Sequence, residues 1–248
     1  MAAILQKNSS LTQAEDTLAD GAKPLNLRDS GQYCDHWRAM FRHGIQAKRL
    51  QLWRGERHVL DGVDLEVRAG EMLQVTGANG SGKTSLLRTL CGLMHLEDGQ
   101  VHWADRKIHD DLPAFHSQLV YLGHEAPLKA DLTPHENLHY WVGIRRPLGS
   151  AEIARALERV GAGTWGDQPV RTLSAGQKRR VALAGVILFE APLWLLDEPA
   201  TNLDADGQRL VGGLIDAQLS VGGVVIVAVH QELPVAGAAP RRLELSAA

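Results

Sequence analysis

Gly77-Ala78-Asn79-Gly80-Ser81-Gly82-Lys83-Thr84 is the stretch that decides the fold. It fits the pattern G-x-x-x-x-G-K-[ST]. Its glycines allow backbone N–H groups to turn inward and cradle phosphates, and the helix that follows adds the positive end of its dipole. At this spacing Lys83 reaches β- and γ-phosphates, and the Thr84 hydroxyl can hold Mg²⁺. The flanks are right for such a loop. An apolar strand, 71–76, precedes it, and Ser85-Leu86-Leu87 opens a helix expected over 82–91.

The rest of the chain alternates strand and helix signals. Strands are expected at 48–53, 58–67, 100–104, 119–122, 193–196, 224–229 and 242–245. In 58–67, Val59, Val63, Leu65 and Val67 are spaced in twos. Helices are expected from Thr133, a cap followed by Pro134, from Ser150 as a second cap, from Ser174 to about 189, and over 204–219. Alternation of this kind implies an α/β fold with a mainly parallel sheet. The helices between about 125 and 190 form an inserted helical subdomain.

Residues 1–44 differ. The first thirty are small and polar, and read as a flexible extension. Trp37, Met40, Phe41 and Ile45 match a helical stripe, so a short amphipathic helix is expected over 33–45. A tail docked on its own domain is the simpler use of it. Met40 as the true start is an alternative.

Composition narrows the function. The chain has 248 residues, with 26 Lys+Arg against 29 Asp+Glu and a net charge of −3. That balance argues against an electrostatic grip on nucleic acid along the chain. The longest apolar stretches, 181–189 and 221–229, fall short of the ~20 residues of a membrane-spanning helix. Two cysteines, Cys34 and Cys91, make no disulfide framework, as expected of a cytoplasmic protein.

A second acidic site lies downstream. Leu193-Trp194-Leu195-Leu196-Asp197 is an apolar strand ending in a carboxylate, as a strand buried on both faces should be. Beside the phosphate loop Asp197 can bind Mg²⁺, and Glu198, pointing elsewhere, can orient the attacking water. Between the two sites sits Leu173-Ser174-Ala175-Gly176-Gln177. Ser174 and Gln177 make an S-x-x-Q capping box, and a capped helix start beside a glycine is an anion site.

This last stretch resembles the signature motif of ATP-binding cassette (ABC) ATPases. The resemblance covers about 46–248. It takes in the D-loop-like Pro199-Ala200-Thr201-Asn202-Leu203-Asp204, and His230 at the position of the switch histidine. It implies a P-loop fold of ABC type with an antiparallel β region, MgATP as ligand, and a head-to-tail dimer. In that dimer Leu173, Ser174, Ala175, Gly176, Gln177 and Asp204 face nucleotide held by the other subunit. It implies further that Glu198, His230, Lys83 and His124 serve catalysis, with His124 also near Mg²⁺. The adenine-stacking aromatic should precede the second strand. Trp53 is the nearest candidate, with Arg54 as the other aligned residue and packing as the other use of the ring.

Details such as Tyr121-Leu122-Gly123-His124, Glu136-Asn137-Leu138 and His230-Gln231 are similar to the ATP-binding subunit of the haem exporter of bacterial cytochrome c maturation. This resemblance implies integral membrane partners and a place on the cytoplasmic face of the inner membrane. The alternatives are an importer or lipoprotein-release ATPase, or a soluble ABC ATPase. Three residues depart from the general ABC pattern. His124 stands where glutamine is usual, Ala175 where glycine is, and Gly185 where arginine is. His135-Glu136-Asn137-Leu138-His139 also matches the H-E-x-x-H of zinc proteases. Pro134 puts it in the first helical turn, and no third ligand follows. His95, His102, His109 and His116 recur every seven residues, but across a loop, a strand and another loop.

Overall fold

The computed structural model describes residues 41–230, 232–233, 235–236 and 240–246. The extension and most of the expected helix at 33–45 lie outside the described residues. Where the two overlap, the helix gives way to a turn. Gly44 N donates to Phe41 O at 2.8 Å, and the chain enters a strand at Ile45. Gly44 has φ +55°, and a Cβ there would lie 1.9 Å from the Val67 carbonyl oxygen, so only glycine lets the chain enter so closely. Phe41 is buried by stacking on Trp103, with centroids 5.1 Å apart.

Two sheets carry the fold. The antiparallel one runs β2 (Arg57–Val67), β1 (Ile45–Arg54), β4 (Asp98–Trp103), β5 (Arg106–Lys107). The spacing in twos along β2 is interrupted. Leu50 pairs with Val63 but Leu52 with Leu60, so β2 carries one extra residue near Gly62, at φ +63°. That bulge flips the side chains before it, and Leu60 rather than Val59 becomes the fully buried residue. Ala104 and Asp105, both with positive φ, turn β4 back into β5.

The parallel sheet has the order β6 (Leu119–Leu122), β7 (Leu193–Asp197), β8 (Val224–Ala228), β3 (Met72–Thr76), β9 (Arg241–Glu244). Every residue of β7 and β8 is buried, as their unbroken apolar composition requires. Helix α1 (Lys83–Leu90) lies on one face, where Leu86, Leu87 and Leu90 join a core shared with the antiparallel sheet. The opposite face is covered by α5 (Ala175–Leu188) and α6 (Ala205–Ser220), with α3 (Pro134–Gly143) and α4 (Ser150–Arg159) packed beyond. A short helix α2 (Leu112–Ser117), which the sequence reading left out, has a legible start: Asp111 accepts from Ala114 N at 3.0 Å, and Pro113 sits in its first turn.

Thr133 and Glu136 close a capping box around Pro134. The other expected cap is corrected. Gly149 is the N-cap of α4 and Ser150 its first residue, because the helix begins one residue earlier with no side-chain acceptor at its end. Asn137 is buried, and its amide holds the loop before α3 together. It accepts from Lys129 N at 2.7 Å and donates to Lys129 O, Leu132 O and Thr133 O. Asn137→Ala strands these groups, and should cost about 2 kcal/mol and lower the thermal midpoint by roughly 4–8 °C. Circular dichroism melting measures this, and an unchanged midpoint would mean the loop is held otherwise.

Candidate active site

The loop between β3 and α1 is shaped by glycines that nothing else could replace. Gly77 has φ +140°, and a Cβ there would lie 2.4 Å from Leu245 O. Gly82 has φ +100°, and a Cβ would lie 2.9 Å from Val59 O. Gly82 is also the N-cap of α1 and offers no side-chain acceptor, so the first-turn amides are left to an external anion. Lys83 is 6% exposed, and its ammonium donates to Gly77 O at 2.8 Å and Ala78 O at 3.0 Å. Asn79, Gly80, Gly82, Lys83, Thr84 and Ser85 line a cleft of about 360 Å³, and Glu198 and His230 close its other side.

Asp197 and Glu198 part company at the end of β7. Asp197 is 2% exposed, and its Oδ2 is buried with no hydrogen-bond partner. An orphaned carboxylate oxygen, with the Thr84 hydroxyl at the cleft, is the hard oxygen donor set that suits Mg²⁺. Glu198 has φ +50°, a left-handed conformation costly for a residue with a side chain. That turn sends its carboxylate to the cleft, where three groups meet it. Nε2 of His230 lies 2.6 Å from Oε1, the Thr201 hydroxyl donates to Oε2 at 3.1 Å, and Nδ1 of His124 lies 3.5 Å from Oε2. His124 thus stands beside Glu198, and its side chain is largely exposed.

Arg179 fixes this arrangement from behind. Its guanidinium is buried and donates to five carbonyls: Pro199 at 3.1 Å, Gly123 at 2.9 Å, His124 at 3.3 Å, Asp197 at 2.6 Å and Glu198 at 2.7 Å. Burial pulls its pKa down to about 10, partly offset by the charges of Asp197 and Glu198. Arg179 and Thr201 were not singled out in the sequence. Arg179 sits in a run of three cations, and only burial distinguishes it.

Other expected site residues lie apart from the cleft. Ser174 Oγ accepts from Gln177 N at 3.2 Å, and Gln177 Oε1 accepts from Ser174 N at 2.8 Å, forming the expected capping box. Leu173 is buried beside it, and Ala175 is exposed. Gly176 packs so closely that a Cβ would lie 2.6 Å from Asn202 O. Asp204 caps α6 by accepting from Gly207 N at 2.8 Å and faces Arg180 at 3.5 Å. Trp53 stacks on His58, with centroids 4.3 Å apart and planes 9° apart. It is Arg54 and Arg57 that line the cleft, and Arg57 donates to Gly80 O at 3.0 Å. In the H-E-x-x-H stretch Glu136 is taken up by the capping box, and among the described residues no group of three metal ligands occurs.

Comparison with known proteins places this geometry. Residues 60–201 match the family described as ABC transporter. The cytochrome c biogenesis ATP-binding export protein of Yersinia pestis bv. Antiqua is 42% identical over 189 residues, 76% of this chain and 87% of the relative. The protein so described from Methylococcus capsulatus is 44% identical over 192 residues, 77% of this chain and 93% of the relative. Among solved structures, an ABC transporter ATP-binding protein from Pyrococcus furiosus superposes with a TM-score of 0.71 at 24% identity, covering 81% of this chain and 96% of that one. A dimeric ATP-binding cassette bound to ADP and Pi gives 0.66 at 23% identity, covering 75% and 88%.

Arg179→Ala removes five donated bonds at once, two of them fully buried. The variant is expected to lose about 3 kcal/mol of stability, read from urea unfolding. Arg179→Lys, which keeps the charge but not the fork, should recover only a minor part. A lysine variant as stable as the parent would mean that charge, not geometry, holds the strand ends.

Proposed function

From the premise that this chain belongs to the ABC transporter family and is an ABC-type ATPase, we propose that it is the ATP-hydrolysing subunit of a membrane complex for haem export, or for release of a haem-loaded chaperone, in cytochrome c biogenesis. Relatives 42% and 44% identical over 76% and 77% of the chain support this reading. One structural observation carries the catalytic part: the Glu198 carboxylate, held by His230, Thr201 and His124 at the mouth of the phosphate-loop cleft.

On this reading residues 77–85 embrace the phosphates. Lys83 leaves the carbonyls of Gly77 and Ala78 for the phosphate oxygens, and the first-turn amides of α1 add their dipoles. Thr84 and Asp197 would hold Mg²⁺, which supplies charge neutralisation at the phosphates when bound. Glu198 accepts a proton from the attacking water, and His230 and His124 hold that carboxylate and the water in place. Ser174 and its neighbours serve the nucleotide of a second copy, since the capped start of α5 lies outside the cleft of its own chain. Residues 45–248 make up the ATPase domain, 1–44 an extension, and about 125–190 a subdomain that moves on closure.

No described helix is long and apolar enough to cross a membrane. On this reading other, integral membrane subunits span the membrane, and this chain is peripheral on the cytoplasmic face of the inner membrane. A groove of about 190 Å³ between β6 and α3 supports docking there. Leu93, Trp141 and Phe189 line it, Leu93 is exposed, and the exposed Tyr140 and Ile144 belong to α3 and its end.

Glu198→Gln should keep ATP binding while turnover falls by about a hundredfold or more. Lys83→Ala should lose both. Unchanged turnover in both variants would remove these residues from the chemistry. Tagged Glu198→Gln pulled down with ATP from detergent-solubilised membranes should bring cytochrome-maturation membrane subunits, and the Soret band reports any haem. An unrelated permease in their place would keep the ABC chemistry and overturn the haem reading.

A further inference from the structure

Two adjacent arginines follow α3, and they are treated very differently. Arg146 is fully paired. It contacts the carboxylates of Glu152 and Glu190 and donates to Leu188 O at 2.9 Å. Arg145 donates one bond, from Nη1 to Leu119 O at 2.8 Å, and lays its guanidinium over the Phe189 ring, 4.6 Å from the centroid. Among the described residues no carboxylate pairs with it, and the groove it borders has no acidic residue in its lining. The groove walls strip part of its hydration and lower its pKa. Within the chain that charge meets only the Leu119 carbonyl and the Phe189 ring, and the rest of the guanidinium fork faces the groove and solvent.

The floor beside it is built with equal specificity. The Trp141 ring lies where a side chain at position 185 would go: a Cβ on Gly185 would be 2.1 Å from its Cζ3 and 2.6 Å from its Cε3. The indole meets Phe189 edge-on at 5.1 Å. Gly185 therefore admits an aromatic pair directly under the unpaired cation. An apolar floor with one guanidinium at its rim that has no carboxylate partner among the described residues is complementary to an apolar side chain with a carboxylate nearby.

We infer that this groove selects its partner through Arg145: the docking segment of the membrane subunit sets an apolar side chain on Trp141 and Phe189 and presents an Asp or Glu carboxylate to the guanidinium. This rests on the docking reading given above and adds to it the chemistry that is recognised. Arg145 touches none of the nucleotide cleft, so its role is separable from hydrolysis.

The test uses the full chain carrying a photocrosslinking side chain at position 93, added with ATP to inner-membrane vesicles from cells lacking this subunit. The expected cross-linked peptide belongs to a membrane subunit and carries an acidic residue within about one helical turn of the cross-link. Arg145→Glu and Arg145→Gln should each reduce vesicle binding about tenfold, with ATP turnover of the isolated subunit unchanged, which also shows that the variants are folded. Reversing the partner's carboxylate to lysine should restore binding of Arg145→Glu and not of Arg145→Gln. A cross-linked membrane peptide without an acidic residue, or full binding by both variants, overturns the role of Arg145 and leaves the docking reading intact. Vesicle binding with cross-links only to segments distant from any membrane subunit overturns the docking reading, and this inference with it.

Discussion

One buried guanidinium decides whether the catalytic edge of this molecule exists. Arg179 projects from α5 and meets five carbonyls from two segments that are distant in sequence: 123–124 after β6, and 197–199 at the end of β7 and in the turn that follows. The Glu198 carbonyl has a second donor in Thr201 N at 3.1 Å, and the fork supplies a side-chain donor to all five. A lysine has no fork to divide among them. The strained φ of Glu198 is tolerated because its own carbonyl and its neighbour's are pinned by this fork, and because its N–H donates to Ala228 O at 2.9 Å. The strain is therefore held by hydrogen bonds on both sides of the residue, and the carboxylate has one place to go.

The opposite wall of the cleft is made by subtraction. Gly77 and Gly82 lie so close to Leu245 O and Val59 O that any Cβ would force the loop open. The same absence of side chain leaves the start of α1 without a cap, the reverse of α3, α5 and α6, whose N-caps are all occupied by their own side chains. A helix start left bare at the C-terminal edge of a parallel sheet is where an open α/β fold binds its ligand.

What could be read from the sequence was what depends on neighbours in the chain. The phosphate loop, the buried strands β7 and β8, and the boxes at Thr133 and Ser174 are set by contacts across three or four residues. The bulge near Gly62 was hidden because it shows only against β1, and so Val59 rather than Leu60 read as the inward residue. Ser150 read as a cap because serine commonly is one, while Gly149, with nothing to offer, took the position. Arg179 and Thr201 could not be told from the other polar residues around them, since a distant fold makes them what they are. Trp53 drew notice as an aromatic, yet His58 holds it in a stack and the neighbouring Arg54 and Arg57 reach the cleft.

The four residues of β6 join the two ends of the proposed machine. At its first residue Leu119 O accepts from Arg145, at the groove. Just past its last, Gly123 O and His124 O accept from Arg179, which also holds Glu198. Between them Tyr121 lines the groove, while His124 stands 3.5 Å from the Glu198 carboxylate. A strand paired along its whole length with β7 is stiff on this scale. Its far end reaches the Glu198 carboxylate through His124. Hydrogen bonds at both ends of one four-residue strand thus join the groove to the edge of the nucleotide cleft.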